Sequence, residues 1–265
     1  MSGIGTANVL AGGAKIDTDT NNVSIVQALL DGGGNGGLTK TGNGTLALNG
    51  ANTYLGTTTV SAGTLGGNGT ITGPVLVSAG ATLAPGSSIG MLTLASTLNL
   101  AAASTTVMEL NKTLGTNDSV TGITTVTYGG TLVLKNLSGA LAVNDTFTLF
   151  SAGARSGSFS SVVSQTPNQT VTWDVSQLTV NGTVKVLSAV AAPVRLAPVV
   201  SGGRFNLAWP ANQIGWQLQS QVNSLAVGLR TNWVVVPGST LTNQVSLPLH
   251  STEPAEFFRL VFPAQ

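Results

Sequence analysis

The chain has 265 residues, of which 42% are apolar, only 7% are charged and 34 are Gly, with a net charge of +1. That apolar fraction is enough to build a core and excludes a wholly disordered chain. The scattered Lys and Arg form no basic stripe, which excludes nucleic-acid binding by phosphate neutralisation. Cys is absent, excluding disulfides, thiol catalysis and Cys-ligated metals, and no run of about 18 apolar residues offers a membrane-spanning helix.

The chain opens with Met1-Ser2-Gly3-Ile4-Gly5, which has neither the charged nor the apolar segment of a signal peptide. For a secreted protein the expectation is a signal removed before this point. Through residues 1–190 a short pattern recurs, in which Gly-Thr leads into alternating apolar residues: Gly44-Thr45-Leu46-Ala47-Leu48, Gly69-Thr70-Ile71, Gly130-Thr131-Leu132-Val133-Leu134 and Gly182-Thr183-Val184-Lys185-Val186. A second pattern is seen in Leu10-Ala11-Gly12-Gly13-Ala14-Lys15-Ile16 and Val77-Ser78-Ala79-Gly80-Ala81-Thr82-Leu83. Period-2 alternation marks strands, and Gly and Asn supply the positive φ of tight corners. Val23–Leu30 is read as strand because Asn21-Asn22 precede it and Asp31-Gly32-Gly33-Gly34 follow it. A unit of roughly 20–25 residues cannot bury its own apolar face, but stacked units can, and some 190 residues then make roughly eight coils. The first pattern, 25 residues apart at Gly44 and Gly69, sets the expected repeat.

Composition changes near residues 190–197. The first part holds all five Lys and one Trp; the second has no Lys, four of five Arg and three of four Trp. Ala191-Ala192-Pro193 and Arg195-Leu196-Ala197-Pro198 read as an extended connector. Two domains follow, 1–190 and 191–265. The second has six apolar runs, Val194–Val200, Arg204–Trp209, Gly215–Gln219, Trp233–Val236, Val245–Leu249 and Phe257–Phe262, at the spacing of a small antiparallel β-sandwich.

The stretch from Gly37-Leu38-Thr39-Lys40-Thr41-Gly42-Asn43-Gly44 through Thr64-Leu65 resembles the autotransporter-associated β-strand repeat of bacterial passenger regions. Leu83-Ala84-Pro85-Gly86-Ser87-Ser88-Ile89-Gly90 resembles the segment that follows such repeats. Asp145–Phe150, Gly157-Ser158-Phe159 and Trp173–Leu178 resemble closing coils. Trp209-Pro210, Gly215–Gln219, Thr231-Asn232-Trp233 and Phe257–Leu260 resemble C-terminal modules of extracellular proteins from Verrucomicrobia-like bacteria. The resemblance implies an all-β chain, a right-handed parallel β-helix exported outside the cell or to its surface, followed by the sandwich. No run of membrane-barrel strands follows, so the expectation is a protein that does not export itself.

Candidate chemistry is sparse. His250 is the only His, too few for a zinc site and without an evident partner as a base. In Asp17-Thr18-Asp19-Thr20-Asn21-Asn22, Asp17, Asp19 and Asn21 share one face if the segment is a strand. Three oxygens there are a partial set for Ca²⁺, which takes roughly six to eight; the alternative is an exposed polar turn. Gly32–Gly37 lacks the Lys-Ser/Thr of a phosphate loop, and Ser87 lacks the flanking pattern of a nucleophile elbow. Tyr54, Tyr128, Trp209, Trp216 and Trp233 form a sugar-stacking platform if exposed, or core if not, and the three Trp are the ligand-binding candidates.

The expected function is therefore a non-enzymatic extracellular structural or adhesive protein, a self-associating subunit or filament former needing no cofactor. The alternative is a carbohydrate-binding or cell-attachment module. A polysaccharide-cleaving β-helix needs grouped acids that the sequence does not display.

Overall fold

The computed structural model describes residues 5–191, 196–248 and 255–261. The chain divides into two compact units, Met1–Ala191 and Ala192–Gln265. Pro193, Arg195 and His250 lie outside the described residues.

The first unit winds into stacked coils of three short strands. They are β1 (Ala7–Val9), β2 (Ala14–Asp17) and β3 (Val23–Ile25); then β4 (Leu29–Asp31), β5 (Leu38–Thr41) and β6 (Thr45–Leu48). Next come β7 (Ala51–Asn52), β8 (Thr58–Val60) and β9 (Thr64–Gly66), followed by β10 (Thr70–Ile71), β11 (Val75–Val77) and β12 (Thr82–Leu83). The fifth coil is β13 (Met91–Leu94), β14 (Leu98–Leu100) and β15 (Thr105–Asn111), to which β16 (Thr116–Asn117) is added as an antiparallel flap. Strands of equivalent rank pair in parallel from coil to coil, so the coil has three faces. Val23–Leu30, read as one strand, is two, β3 and β4, with a corner at residues 26–28.

Above the fifth coil the first two faces merge. The long β17 (Ser119–Tyr128) pairs its start with β13 and its end with β14, and β20 (Phe150–Gly157) lies on it in parallel. Gly122, at φ 74°, takes the former corner. The third face continues through β18 (Thr131–Ser138) and β21 (Ser161–Gln165). Between them lies β19 (Thr146–Thr148).

Seven coils result, and their length is not constant. Up the third face, Val23 pairs with Leu46, Leu46 with Leu65, Leu65 with Leu83, Thr82 with Thr105, Thr105 with Thr131 and Thr131 with Ser161. The steps are 23, 19, 18, 23, 26 and 30 residues. The expected unit of roughly 20–25 residues is thus an average around which the steps run from 18 to 30. Gly44 opens β6 on the third face, whereas Gly69 opens β10 on the first, so their spacing is not one turn of the coil. The same Gly-Thr signal serves different corners because every corner makes the same backbone demand.

Inward residues form continuous columns. Leu46, Leu65, Leu83 and Leu132 stack on the third face, with Thr106 between the last two, and all are fully buried. On the second face the column reads Ile16, Lys40, Val60, Val77, Leu100, so a lysine occupies a core position. Asn52, also fully buried, replaces a missing strand pairing on the first face. Its Oδ1 accepts the Leu29 N–H at 3.1 Å, and its amide donates to the Gly50 and Thr70 carbonyls at 3.0 Å each. A buried amide so satisfied costs little, whereas an unsatisfied one costs about 1–3 kcal/mol.

The last coil is covered from within the same unit. β22 (Gln169–Asp174) and β23 (Thr183–Ala191) form an antiparallel sheet with β19, linked by a 3₁₀ turn, Ser176–Thr179. Phe150, Phe159 and Tyr128 pack ring against ring, and Phe147 packs edge-on to Trp173. The Tyr128 hydroxyl donates to the Leu178 carbonyl at 3.0 Å.

The second unit is a pair of three-stranded antiparallel sheets. One is β24 (Ala197–Ser201), β25 (Arg204–Ala208) and β28 (Gln244–Pro248); the other is β26 (Gln217–Val222), β27 (Val234–Val235) and β29 (Glu256–Val261). Leu207, Trp209 and Leu218 are its buried centre, and Phe205 of one sheet meets Phe258 of the other with ring centroids 5.2 Å apart.

Candidate functional site

The third face presents an ordered outer surface. Because its inward positions are apolar, the alternate positions face out, and Thr45, Thr64, Thr82, Thr105, Thr131 and Ser161 stand in register, one per coil. The Thr131 and Ser161 hydroxyls are 2.9 Å apart. A parallel column beside it runs Ala47, Gly66 and then Val107, Val133, Val163. Methyls and hydroxyls thus repeat at the spacing of paired strands, about 4.8 Å.

Beside this ladder lies a groove of about 380 Å³. Its floor is Val23, Thr45, Ala47 and Thr64; the loop after β12, from Ala84 to Ser88, forms one wall, and Val107, Glu109 and Asp118 complete it. The loop is fixed at its base by reciprocal backbone bonds between Gly67 and Gly86, each 2.9 Å.

Two carboxylates anchor this wall. Asp118 is almost wholly buried; its Oδ1 accepts the Gly90 N–H at 2.8 Å and its Oδ2 the Glu109 N–H at 2.7 Å. Burial pushes its carboxyl up to about 7, against the pull of those two N–H donors. Glu109 takes the Ser88 hydroxyl on Oε2 at 3.2 Å and the Lys135 ammonium on Oε1 at 3.0 Å. The sequence concealed this group because Ser88, Glu109, Asp118 and Lys135 come from successive coils; only the Gly-rich, Ser-rich loop was noticed.

The residues singled out from the sequence are placed differently. β2 ends at Asp17, and Asp19 sits in a turn at φ 48°, so Asp17, Asp19 and Asn21 do not share a strand face. Asp17 Oδ1 accepts the Asp19 N–H at 2.8 Å, and no group of three or more acidic or His side chains able to hold a metal occurs among the described residues. At this corner the cation is Lys40, whose Nζ donates to Thr18 Oγ1 at 2.8 Å and to the Thr41 and Gly42 carbonyls at 3.0 and 2.7 Å. Burial lowers its pKa, and the Asp17 carboxylate raises it.

The aromatic candidates divide between core and surface. Tyr54 and Tyr128 are core residues of the first unit, with the Tyr54 hydroxyl 2.6 Å from Thr58 Oγ1. Trp209 is core in the second unit, as a sandwich this small requires of its bulkiest side chains. Trp216 and Trp233 are half-buried, and the Arg259 guanidinium lies over the Trp233 ring at 4.2 Å. A second concavity, of about 440 Å³ on the outer face of β24, β25 and β28, has no titratable residue in its lining.

The first unit is thus a parallel β-solenoid with a ladder of outward hydroxyls and a capped end. Residues 38–66 match the family model described as the passenger-associated-transport-repeat, so the chain carries one copy of an autotransporter passenger repeat, from β5 to β9. The repeat is one associated with secreted or cell-surface passengers. The match does not extend to the second unit, and a search of curated proteins finds no match to the chain. No helix among the described residues is long and apolar enough to cross a membrane.

Proposed function

We propose that this chain is a non-enzymatic structural and adhesive element of a secreted or cell-surface protein. The observation that supports it most is a single apolar core running through all seven coils and closed by its own antiparallel cap. Such a body is built for stiffness, since every coil is held by its neighbours. The carboxylates favour this reading over catalysis. Glycoside cleavage uses a pair of free carboxylates, and Asp118, almost wholly buried, spends both oxygens on backbone N–H groups, which leaves Glu109 without such a partner.

The ends bear on self-association. The cap covers one end of the solenoid. At the other, β1, β2 and β3 each keep one edge without a partner strand among the described residues. Unpaired edges template further pairing. Pairing of these edges with the same edges of a second copy gives a closed pair.

Sedimentation and negative-stain microscopy across concentration, with mass spectrometry of incubated polysaccharides, test the proposal. Discrete monomers or pairs and intact polysaccharide are the expected results. Regular filaments would replace the closed pair with side-to-side assembly, and released oligosaccharides would overturn the non-enzymatic reading.

A further inference from the structure

The groove on the third face has the chemistry of a binding site that the stiffness of the solenoid does not require. It spans five coils, from Val23 below to Val107 above. At a strand spacing of about 4.8 Å its length is on the order of 15–20 Å, running along the solenoid axis. An extended ligand laid there meets Thr45 and Ala47, then Thr64, then the Ala84–Ser88 loop and Val107. A compact ligand would leave most of that row uncovered.

Charge narrows the ligand further. The lining contains no cation, and the one nearby ammonium, Lys135, is already bound to Glu109. An anionic chain would face Glu109 with no counter-charge free to receive it. An apolar peptide strand would leave the Thr45, Thr64 and Ser87 hydroxyls without partners. A neutral sugar chain suits both conditions. Its hydroxyls donate to the Glu109 carboxylate and exchange bonds with Ser and Thr, and its C–H faces lie on Ala47, Val23 and Val107. Glu109 is suited to this because Ser88 and Lys135 hold it in place, each by one hydrogen bond, while each carboxylate oxygen retains a second acceptor direction.

We propose that this groove binds an extended neutral oligosaccharide, laid along the solenoid axis across the Thr45–Thr64 ladder, with Glu109 as the principal acceptor. The proposal goes beyond the structural reading, which stands if the groove is empty of function.

The test uses the full chain and titration calorimetry against cello-, xylo-, manno- and β-1,3-gluco-hexasaccharides, with an oligogalacturonate as the anionic comparison. Binding of at least one neutral hexasaccharide, and none of the oligogalacturonate, is expected. Thr64→Arg puts bulk on the floor from an outward position, and Glu109→Gln removes the charged acceptor without changing shape. Each should weaken binding by about tenfold or more, the effect of losing one charge-assisted hydrogen bond or its equivalent in contact, while the thermal midpoint of Glu109→Gln stays close to that of the parent. Absence of binding across the neutral panel, preference for the anionic sugar, or binding indifferent to both substitutions would overturn the proposal.

Discussion

Lys40 shows what a single residue does inside a repeat. The Lys-Thr-Gly-Asn-Gly run reads from sequence as a polar corner, yet its lysine is fully buried and holds two coils together through Thr18, Thr41 and Gly42. The glycines around it are part of the same device. Gly63 has φ 65°, and a Cβ there would run into the Gly42 and Gly44 carbonyls and the Lys40 ammonium. Lys40→Met keeps the length of the side chain but removes the ammonium from three oxygens, of which the Thr41 carbonyl still accepts from Thr18. It should lower unfolding free energy by about 1–3 kcal/mol, read from denaturant midpoints; a variant as stable as the parent would mean those oxygens find other donors. Asp118 makes a pH prediction. A carboxyl whose folded pKa of about 7 exceeds its ordinary 3.8 binds its proton more tightly when folded. Its contribution to stability is therefore largest below about pH 4 and is lost as pH rises through 7. A carbon-detected carboxyl titration should give Asp118 a midpoint near 7; a midpoint near 4 would show that the Gly90 and Glu109 N–H donors outweigh burial.

At the scale of elements, the solenoid depends on how it ends. Each inner coil buries its apolar column on both sides, but the last coil has neighbours on one side only. The sheet of β22 and β23, the 3₁₀ turn and the rings of Phe147, Phe150, Phe159 and Trp173 supply the missing side. Trp173 also donates from Nε1 to Ser164 Oγ of β21 at 3.1 Å, tying cap to coil. A chain cut after Gln165 leaves Phe150 and its neighbours facing water. Expressed alone, it should aggregate or bind a hydrophobic dye, whereas a chain cut after Ala191 should give a soluble, cooperatively melting body. Equal behaviour of the two fragments would show that the cap is dispensable. The polar corners work in the opposite direction, by satisfying backbone rather than excluding water. Asn49 donates to Ser24 Oγ and accepts the Asn68 N–H, and Asn68 accepts the Met91 N–H, a chain of side-chain bonds across four coils.

At the scale of the whole molecule, the division of labour between sequence and tertiary structure is visible in particular residues. Strand and corner were legible along most of the chain, because period-2 alternation and Gly with positive φ are local demands; the corner at residues 26–28, which has no Gly, was not. The six apolar runs of the second unit are its six strands for the same reason. Coil length was not legible. Thr45, Thr64, Thr82, Thr105, Thr131 and Ser161 are unevenly spaced along the chain and become one column only when the loops between them are folded out. Nor was the groove, since Ser88, Glu109 and Lys135 are each an ordinary polar residue until stacking makes them neighbours. The tryptophans left both readings open, because an aromatic side chain does not announce from sequence whether it faces core or solvent; Trp209 lies in the core. What the sequence by itself determined was the all-β solenoid with a second small β unit, because backbone preference and alternation are set residue by residue. Register, the buried lysine and the groove were decided only by tertiary structure, because each depends on which residues from different turns of the chain are brought side by side.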